Sequence, residues 1–198
     1  MPLTTPLILA GDVVRLEPLR TKHTSDLERA AREFGDAGPW YTSVPAPAEV
    51  AAAIQRRLSE HAAGRMNPWA VRDAASGRTI GMTTFCNIDE HNRRVEIGYT
   101  WLAPSAQRSG INTEAKLLLL THAFEGCDTI AVEFRTHWHN RQSRAAIERL
   151  GARPDGVLRN HSISADGVLR DTVVYSVLPH EWPAVRTGLR ARLAAHAR

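Results

Sequence analysis

The sequence predicts a single α+β domain in which helices flank a central, mostly antiparallel sheet. Three observations lead to this prediction. The chain has 198 residues, enough for one hydrophobic core and too few for two ordinary domains. Most segments that alternate apolar and polar residues come in neighbouring pairs, as hairpins require. Segments with helical spacing are inserted between these pairs, and such an order favours a mixed sheet over a doubly wound one.

The first half of the chain predicts the order β, α, α, β, β, β. The first strand alternates apolar with charged residues and ends at Pro18, which cannot continue a ladder. The second and third strands flank the turn Ala-Ala-Ser-Gly, so they predict a hairpin. The predicted strands cover residues 13–18, 69–72, 79–86 and 94–102, and the predicted helices cover 25–34 and 48–63.

The second half predicts the order α, β, α, β, β, α. Gly126 and Gly151 are expected to end the first two of these helices in a left-handed conformation. The last two strands flank Ala-Asp-Gly, which is a strong hairpin signal. The predicted helices cover residues 112–124, 143–150 and 180–196, and the predicted strands cover 129–136, 157–163 and 168–178.

Composition excludes several classes of protein. Hydrophobic residues make up 43% and charged residues 23% of the chain, near the globular averages. The longest apolar run is Leu117 to Leu120, whereas a membrane helix needs about 20 apolar residues, so no membrane partner is expected. The N-terminal residues lack the features of a signal peptide and predict a cytoplasmic protein. Cys86 and Cys127 have no metal-binding or redox spacing and predict buried thiols.

The net charge of the chain is compatible with several classes of binding partner. The net charge is +4 and comes mostly from arginine, which suits a phosphate-rich cofactor, an acidic protein or nucleic acid. The sequence has no helix-turn-helix, zinc or aromatic-basic signature, so nucleic acid is not expected as the main partner. His137 and His139 could begin a metal site, but a third ligand is missing and no metal is expected.

The most informative segment is Val95 to Ala115, where a predicted strand runs through a short loop into a predicted helix. Such a junction directs several backbone N–H groups and the positive end of a helix to one point, which suits phosphate. Gly110 would allow a close backbone approach or a positive φ, and Arg108 would add a guanidinium. Taken alone, an ordinary tight connection with Asn112 as the N-cap explains the segment equally well.

The neighbouring motifs strengthen the functional interpretation. Gln107-Arg108-Ser109-Gly110-Ile111-Asn112 resembles the pyrophosphate loop Q/R-x-x-G-x-G/A of the GCN5-related N-acetyltransferases, except at its last position. The strand before it looks like the splayed strand of that family, whose backbone binds the pantetheine arm. Downstream, Asn140-x-x-Ser143 is similar to the family's asparagine and helix near the thioester sulfur. The resemblance covers about residues 13–178 and is closest to the branch that acetylates ribosomal-protein N-termini (RimJ/RimL-like).

This resemblance implies one GNAT domain over residues 1–198, with a core at about 13–178 and a C-terminal helix at 180–196. It also implies acetyl-coenzyme A (acetyl-CoA) as the cofactor and an acyltransferase activity on amines. The acceptor cleft is expected near Trp40, Tyr41, Trp69 and His137, although the tryptophans are equally well explained as core aromatics. The residues expected to bind coenzyme A are Trp101, Leu102, Gln107, Arg108, Ser109, Gly110, Ile111, Asn112, Thr113 and Asn140.

The catalytic residues are predicted with alternatives. Ile147 stands where many members of the superfamily have a tyrosine that protonates the leaving thiolate. Ser143 lies one helical turn earlier on the same face and is the available hydroxyl. Glu96 is the candidate base, directly or through water; it could instead only pair with Arg94 or Arg135. His137 is an alternative base, since its ordinary pKa is near 6.5.

A site without a strong acid or base favours an amine of low pKa. An α-amine with a pKa near 8 is about one-tenth neutral at pH 7, whereas a lysine amine is under about one part in a thousand neutral. A protein N-terminus is therefore the preferred acceptor, by direct attack. A small-molecule amine and a non-catalytic acyl-CoA or RNA-associated binding module are the alternatives. An exposed sheet edge near the C-terminal hairpin would allow a homodimer.

Overall fold

The structure, a computed structural model, describes residues 1–35, 41, 44–164 and 167–196. Eight strands form one sheet in this part of the chain. The strands are β1 (Leu9–Ala10), β2 (Val14–Pro18), β3 (Asn67–Asp73), β4 (Thr79–Asp89), β5 (Arg94–Leu102), β6 (Ala131–His137), β7 (Arg153–Ile163) and β8 (Leu169–Val177). The α-helices are α1 (Thr24–Arg32), α2 (Val50–Ala62), α3 (Ile111–Thr121), α4 (Arg141–Leu150) and α5 (Trp182–His196).

The sheet is mixed and splayed, in the order β1-β2-β3-β4-β5-β6-β8-β7. Every neighbouring pair is antiparallel except β5 and β6. These two strands run parallel and pair only between residues 94–96 of β5 and residues 131–133 of β6. Beyond Glu96 they part, and the rest of β5 pairs with β4 alone. The predicted α+β class and the mostly antiparallel, splayed sheet are confirmed.

Helices cover both faces of the sheet. On one face, here called the α3 face, Trp69 and Phe85 pack against His122 at the end of α3. On the opposite α2 face, the guanidinium of Arg57 lies over the ring of Tyr99. Helix α1 lies on the α2 face and packs against β4, while α5 packs against α3 and α4. Because side chains alternate along a strand, Cys86, Glu96 and Gly98 share the α2 face.

Helix α3 is tied to the first hairpin of the sheet. The buried carboxylate of Glu114 accepts hydrogen bonds from the backbone N–H groups of Asp12, Val13 and Val14 at 2.7–2.8 Å. Hydrogen bonds to a charged group are worth about 1.5–3 kcal/mol each. The start of α3, together with the loop of residues 103–110 that precedes it (the glycine loop), is therefore held against residues 12–14.

One strand was not predicted from the sequence, and one helix end was predicted wrongly. The missed strand, β1, has only two residues, too few to show an alternating pattern. Gly126 has no positive φ, because the end of α3 continues as one π-type turn, His122–Gly126, and the left-handed residue is Asp128 at φ 55°. Gly151 does end α4 in the left-handed conformation, at φ 101°. None of the helices in the described ranges has the length and apolar character to cross a bilayer.

Candidate functional site

The point where β5 parts from β6 is the centre of the candidate site. Strand β5 has one more residue than β4 between two pairs, since Gly98 faces Thr84 and Trp101 faces Met82. This β-bulge places Tyr99 at φ 49°, in the left-handed region. A bulge turns backbone groups away from the regular ladder. Residues 97–102 therefore present a backbone edge toward the gap on the side of β6.

The loop that follows β5 is closed by its own side chains. Gln107 Nε2 donates to the carbonyl of Leu102 at 3.2 Å, and Ser109 Oγ donates to the carbonyl of Ala106 at 2.6 Å. Arg108 has φ 62° and an exposed side chain. The two predicted polar ligands thus shape the loop, while the guanidinium of Arg108 faces solvent.

Gly110 sets the start of α3. Its φ is 81°, which favours glycine, and a Cβ placed there would meet only His196 at an ordinary 3.8 Å. The conformation, rather than the space, therefore requires glycine. The first intrahelical bond runs from the N–H of Glu114 to the carbonyl of Gly110, so the N–H groups of residues 111–113 point out of the helix end. The buried Oδ1 of Asn112 has no hydrogen-bond partner within the described ranges.

Glu96 lies where the two strands part, and it is buried. Its Oε2 accepts from Asn87 Nδ2 at 2.7 Å and lies 3.5 Å from Arg135 Nε. Burial raises the pKa of Glu96, and the bond from Asn87 and the charge of Arg135 oppose that rise. Of the two predicted ion pairs, the one with Arg135 is present, whereas Arg94 binds Glu133 instead.

The thiol of Cys86 is not arranged as a nucleophile. It lies behind Glu96 and is 2.8 Å from the position that a Cβ on Gly98 would occupy. Burial strongly raises the pKa of Cys86, and the charge of Glu96 adds to the rise. Because only the thiolate attacks acyl groups well, this thiol stays protonated and inert near neutral pH. A covalent acetyl-cysteine route has no support at this position.

The start of α4 combines a cap with a hydroxyl. Oδ1 of Asn140 accepts from the N–H of Ser143 at 2.9 Å, which makes Asn140 the N-cap of the helix. Ser143 is partly exposed and Ile147 is buried one turn later. The hydroxyl of Tyr175 donates to Glu148 and accepts from Arg144, so it is held by α4 on the α3 face.

The structure places the residues predicted to line the acceptor cleft in different surroundings. Trp69 is fully buried, stacks edge-on against Phe85 and donates Nε1 to the carbonyl of Leu7 at 2.8 Å; its assignment to the cleft is wrong because it is a core side chain. Trp40 lies outside the described residues. The rings of Tyr41 and His137 are 6.2 Å apart, which brings these two together.

The surroundings of His137 favour its neutral form. Its Nδ1 accepts from the N–H of His139 at 3.0 Å. Burial lowers the pKa of His137, and the charge of Arg170 lowers it further. Within the described ranges, no group of three or more His, Cys, Asp or Glu side chains is arranged to hold a metal ion.

Two buried cations were not predicted from the sequence. Lys116 is fully buried under the bulge, with Nζ 2.8 Å from Thr100 Oγ1 and 3.5 Å from Thr83 Oγ1, and burial lowers its pKa to about 7. Arg57 is buried beside Tyr99. Both lie on the apolar side of their helices. A cation at such a position was the sequence feature from which a buried charge could have been predicted.

The structure also contains a cavity of about 600 Å³ near the loop. It is lined by α1, by the β3–β4 turn and by loop residues such as Ser105 and Ser109, but by no residue of β6 or α4. It therefore lies behind the loop and outside the gap between the splayed strands.

Comparison with known proteins identifies the family. The family described as "Acetyltransferase (GNAT) domain" matches residues 14–153. The chain belongs to this family. A GNAT protein of Brucella melitensis, of known crystal structure, is 32% identical with a TM-score of 0.84, over 96% of this chain and 86% of that one. The family and the enzyme class expected from the sequence, N-acetyltransferase, are thereby confirmed.

Two further relatives of this GNAT chain bear on its branch. A Bacillus subtilis (strain 168) protein, YdaF, whose name assigns it provisionally to the ribosomal N-acetyltransferases, is 38% identical over 54% of this chain and 57% of its own length. The chain thus aligns with little more than half of that relative. The structure titled Mycobacterium smegmatis RimJ in complex with CoA-disulfide is 25% identical with a TM-score of 0.77, over 95% of this chain and 93% of that one.

Proposed function

We propose that this GNAT protein transfers the acetyl group of acetyl-CoA to the α-amine of a protein N-terminus. The observation that carries the proposal is the parting of β5 from β6 at Glu96. From this buried carboxylate, the open backbone edge of β5 leads to the loop of residues 103–110 and to the N-terminus of α3. The named relatives support the branch, since one is named for ribosomal proteins and another is a RimJ.

The residues present fit coenzyme A. The N–H groups of residues 111–113, which have no acceptor within the described residues, the left-handed Gly110 and the exposed Arg108 suit a diphosphate. The open backbone edge at Trp101 and Leu102 suits the amide groups of a pantetheine arm. The buried Oδ1 of Asn112, which has no partner within the described residues, can accept a hydrogen bond from an N–H or O–H group of the cofactor, but not from its diphosphate. In this proposal Gln107 and Ser109 act by shaping the loop, while Ile111, Thr113 and Asn140 position the helix ends.

When bound, acetyl-CoA supplies an activated acyl group. Glu96 then accepts the proton of the incoming amine, directly or through water, because burial brings its pKa closer to neutral. The backbone N–H groups at the bulge are placed to hold developing negative charge on an acyl oxygen. Ser143, one turn before Ile147, is the hydroxyl nearest in sequence to the place of the missing tyrosine. This set of groups favours an amine that is partly neutral at pH 7.

A peptide with a free N-terminus and one internal lysine tests the acceptor. After incubation with acetyl-CoA, mass spectrometry of fragments should locate acetyl groups first at the α-amine. Faster modification of the lysine would refute the proposal. Turnover only with small amines would favour the small-molecule alternative, and coenzyme A binding without turnover would favour the binding module.

Glu96→Gln tests the base. Its kcat at pH 7 should fall by roughly 100-fold, a usual size for general-base catalysis, and the remaining rate should lose the acidic limb of its pH profile. Glu60→Gln is the matched control, because Glu60 is partly exposed on α2 and its carboxylate pairs with Arg65, its one ion-pair partner among the described residues. A Glu96→Gln enzyme with an unchanged kcat would assign the proton to His137 or to water.

Oligomeric state, location and domain limits are part of the same proposal. Strand β7 is exposed along its whole length and ends the sheet, with Leu158 at 40% and Ile163 at 72% exposure. Such an edge can pair with the same strand of a second copy. Light scattering should give twice the chain mass, and Leu158→Lys should reduce the measured mass.

We place the reaction in the cytoplasm and in one domain over residues 1–198.

A further inference from the structure

Arg57 is a buried cation with no carboxylate partner in the part of the chain that the structure describes. Its side chain is buried, and the residue is 8% exposed. Nη1 donates to the carbonyl of Ala53, one turn earlier in α2, at 3.1 Å. Nε is buried and makes no hydrogen bond. A buried charge without a counter-charge is strongly unfavourable unless something else compensates it.

The surroundings of Arg57 do not compensate its charge. The guanidinium contacts the carbonyl of Ala53, and its carbon lies 5.2 Å from the ring centroid of Tyr99; neither group carries a negative charge at neutral pH. Burial keeps the thiol of Cys86, on the same face, protonated. Arg56, the next residue on α2, adds a second positive charge. The site therefore carries excess positive charge.

Arg57 also lies on the same face of the sheet as Glu96, the base in the proposed function. Cys86 Sγ and Glu96 Oε1 are each 2.8 Å from the position of a Cβ on Gly98, and the charges of Glu96 and Arg57 both act on that thiol. The guanidinium and the candidate base thus stand on the same face, with Tyr99 beside them.

A second guanidinium faces this region from the far side of the gap. Arg170 lies at the start of β8, its Nε is buried and without a hydrogen bond, and its charge acts on Glu96, Tyr99 and His137. The carboxylates on this face are already engaged, because Glu96 has Asn87 and Arg135 as partners. The face can therefore accept a negative charge.

We propose that Arg57 is the centre of an anion subsite in the acceptor cleft and binds a carboxylate of the acceptor. This inference rests on the proposed function and names its substrate class: peptide N-termini with Asp or Glu among their first residues. The planar guanidinium matches a carboxylate in two parallel hydrogen bonds. The acceptor's carboxylate supplies the counter-charge that the described residues do not.

Paired peptides test the subsite. Peptides that differ only by Asp or Asn at positions 1, 2 or 3, all amidated at the C-terminus, are compared by kcat/KM. The wild type should prefer an Asp peptide by about tenfold or more, the size expected for a hydrogen-bonded charge, mainly through KM. Arg57→Met should bring the two peptides within about twofold, while Arg56→Met, at the exposed neighbouring position, should keep the preference. Equal kcat/KM values in the wild type would overturn the proposal.

Binding without turnover separates this proposal from the proposed function. The acetylated Asp and Asn peptides are titrated into each variant by calorimetry. Tighter binding of the Asp peptide that disappears in Arg57→Met supports the subsite even if no peptide is acetylated. Acetylation of α-amines without any acidic preference overturns the subsite and leaves the proposed function standing. A second peptide set carries a free C-terminal carboxylate. If both free-carboxylate peptides bind more tightly than their amidated counterparts, with no difference between Asp and Asn, the assignment to Asp and Glu side chains is overturned.

Stability provides an independent readout. If Arg57 is kept for a ligand, Arg57→Met should melt at or above the wild-type temperature, because it removes an uncompensated buried charge and keeps an unbranched apolar stem. A Tm several degrees below that of the wild type would make Arg57 a structural side chain and would overturn the proposal.

Discussion

Replacement of Lys116 by methionine should make the free energy of unfolding less dependent on pH. Lys116 is fully buried, and the partners of its ammonium among the described residues are the hydroxyls of Thr100 and Thr83. Burial lowers its pKa from 10.5 to about 7. The unfolded chain therefore binds more protons than the folded chain between these two pH values, so stability rises with pH across that window.

The magnitude follows from the shift. A difference of 3.5, from 10.5 to about 7, corresponds to a destabilisation of about 5 kcal/mol at a pH below both values. Between pH 7 and pH 9 the wild type should gain about 2 kcal/mol from this group. In Lys116→Met the two hydroxyls still bind each other, at 2.8 Å. The variant should be more stable than the wild type at pH 7 by roughly 2–4 kcal/mol, and this advantage should shrink by about 2 kcal/mol at pH 9.

Urea unfolding at pH 7, 8 and 9 measures this difference. The comparison between variants removes the contributions of Cys86, Tyr99 and the histidines, which both proteins share. Lys22→Met is the control, because Lys22 is the other lysine of the chain and its side chain is 63% exposed. A stability difference between Lys116→Met and wild type that is the same at pH 7 and pH 9 would refute the reasoning.

Three further variants test the loop and its supports. Gly110→Ala forces an L-residue to φ 81°, so it should lose roughly 1–2 kcal/mol of stability and raise the KM for acetyl-CoA without a change in the KM for peptide; an unchanged KM for acetyl-CoA would contradict the role of the loop. Glu114→Gln replaces the carboxylate that accepts three backbone N–H groups and should lower stability by about 2 kcal/mol in urea unfolding; no loss would mean that the amide replaces every bond. Asn140→Ala removes the cap of α4 and should lower the unfolding free energy by about 1 kcal/mol, whereas Asn140→Asp should keep it; equal losses in both would show that capping is not the cause.

Local pattern was sufficient for most of the fold and for the loop. Residues 94–102 form the predicted strand within the predicted limits, and the left-handed Gly110 follows from the need for glycine at the start of α3. Both features are encoded in contiguous residues. The splay of β5 from β6 followed from the family resemblance, since residues 37 positions apart pair there and no single segment records it.

The missed parts of the site depend on tertiary burial. From the sequence alone, Trp69 fits an acceptor cleft and a hydrophobic core equally well. Its packing against Phe85 and its hydrogen bond to Leu7 place it in the core. Arg57 and Lys116 are ordinary helix-forming residues in the sequence, and their burial depends on how their helices pack against the sheet. For Glu96, the sequence left Arg94 and Arg135 open as partners; the pairing of β5 with β6 up to the splay decides for Arg135.

The position of the last turn of α5 has a practical consequence for labelling. His196 lies against Gly110, so a label on the side chain of residue 196 would lie beside the loop to which the proposed function assigns the diphosphate. The ammonium of Met1 donates to the carbonyl of Gly126, at the opposite end of the same helical segment. With a rise of about 1.5 Å per residue, these two points are about 24 Å apart. A fluorophore or surface tether attached at Met1 would leave the loop accessible, whereas under the proposed function one attached at residue 196 would compete with the acyl donor.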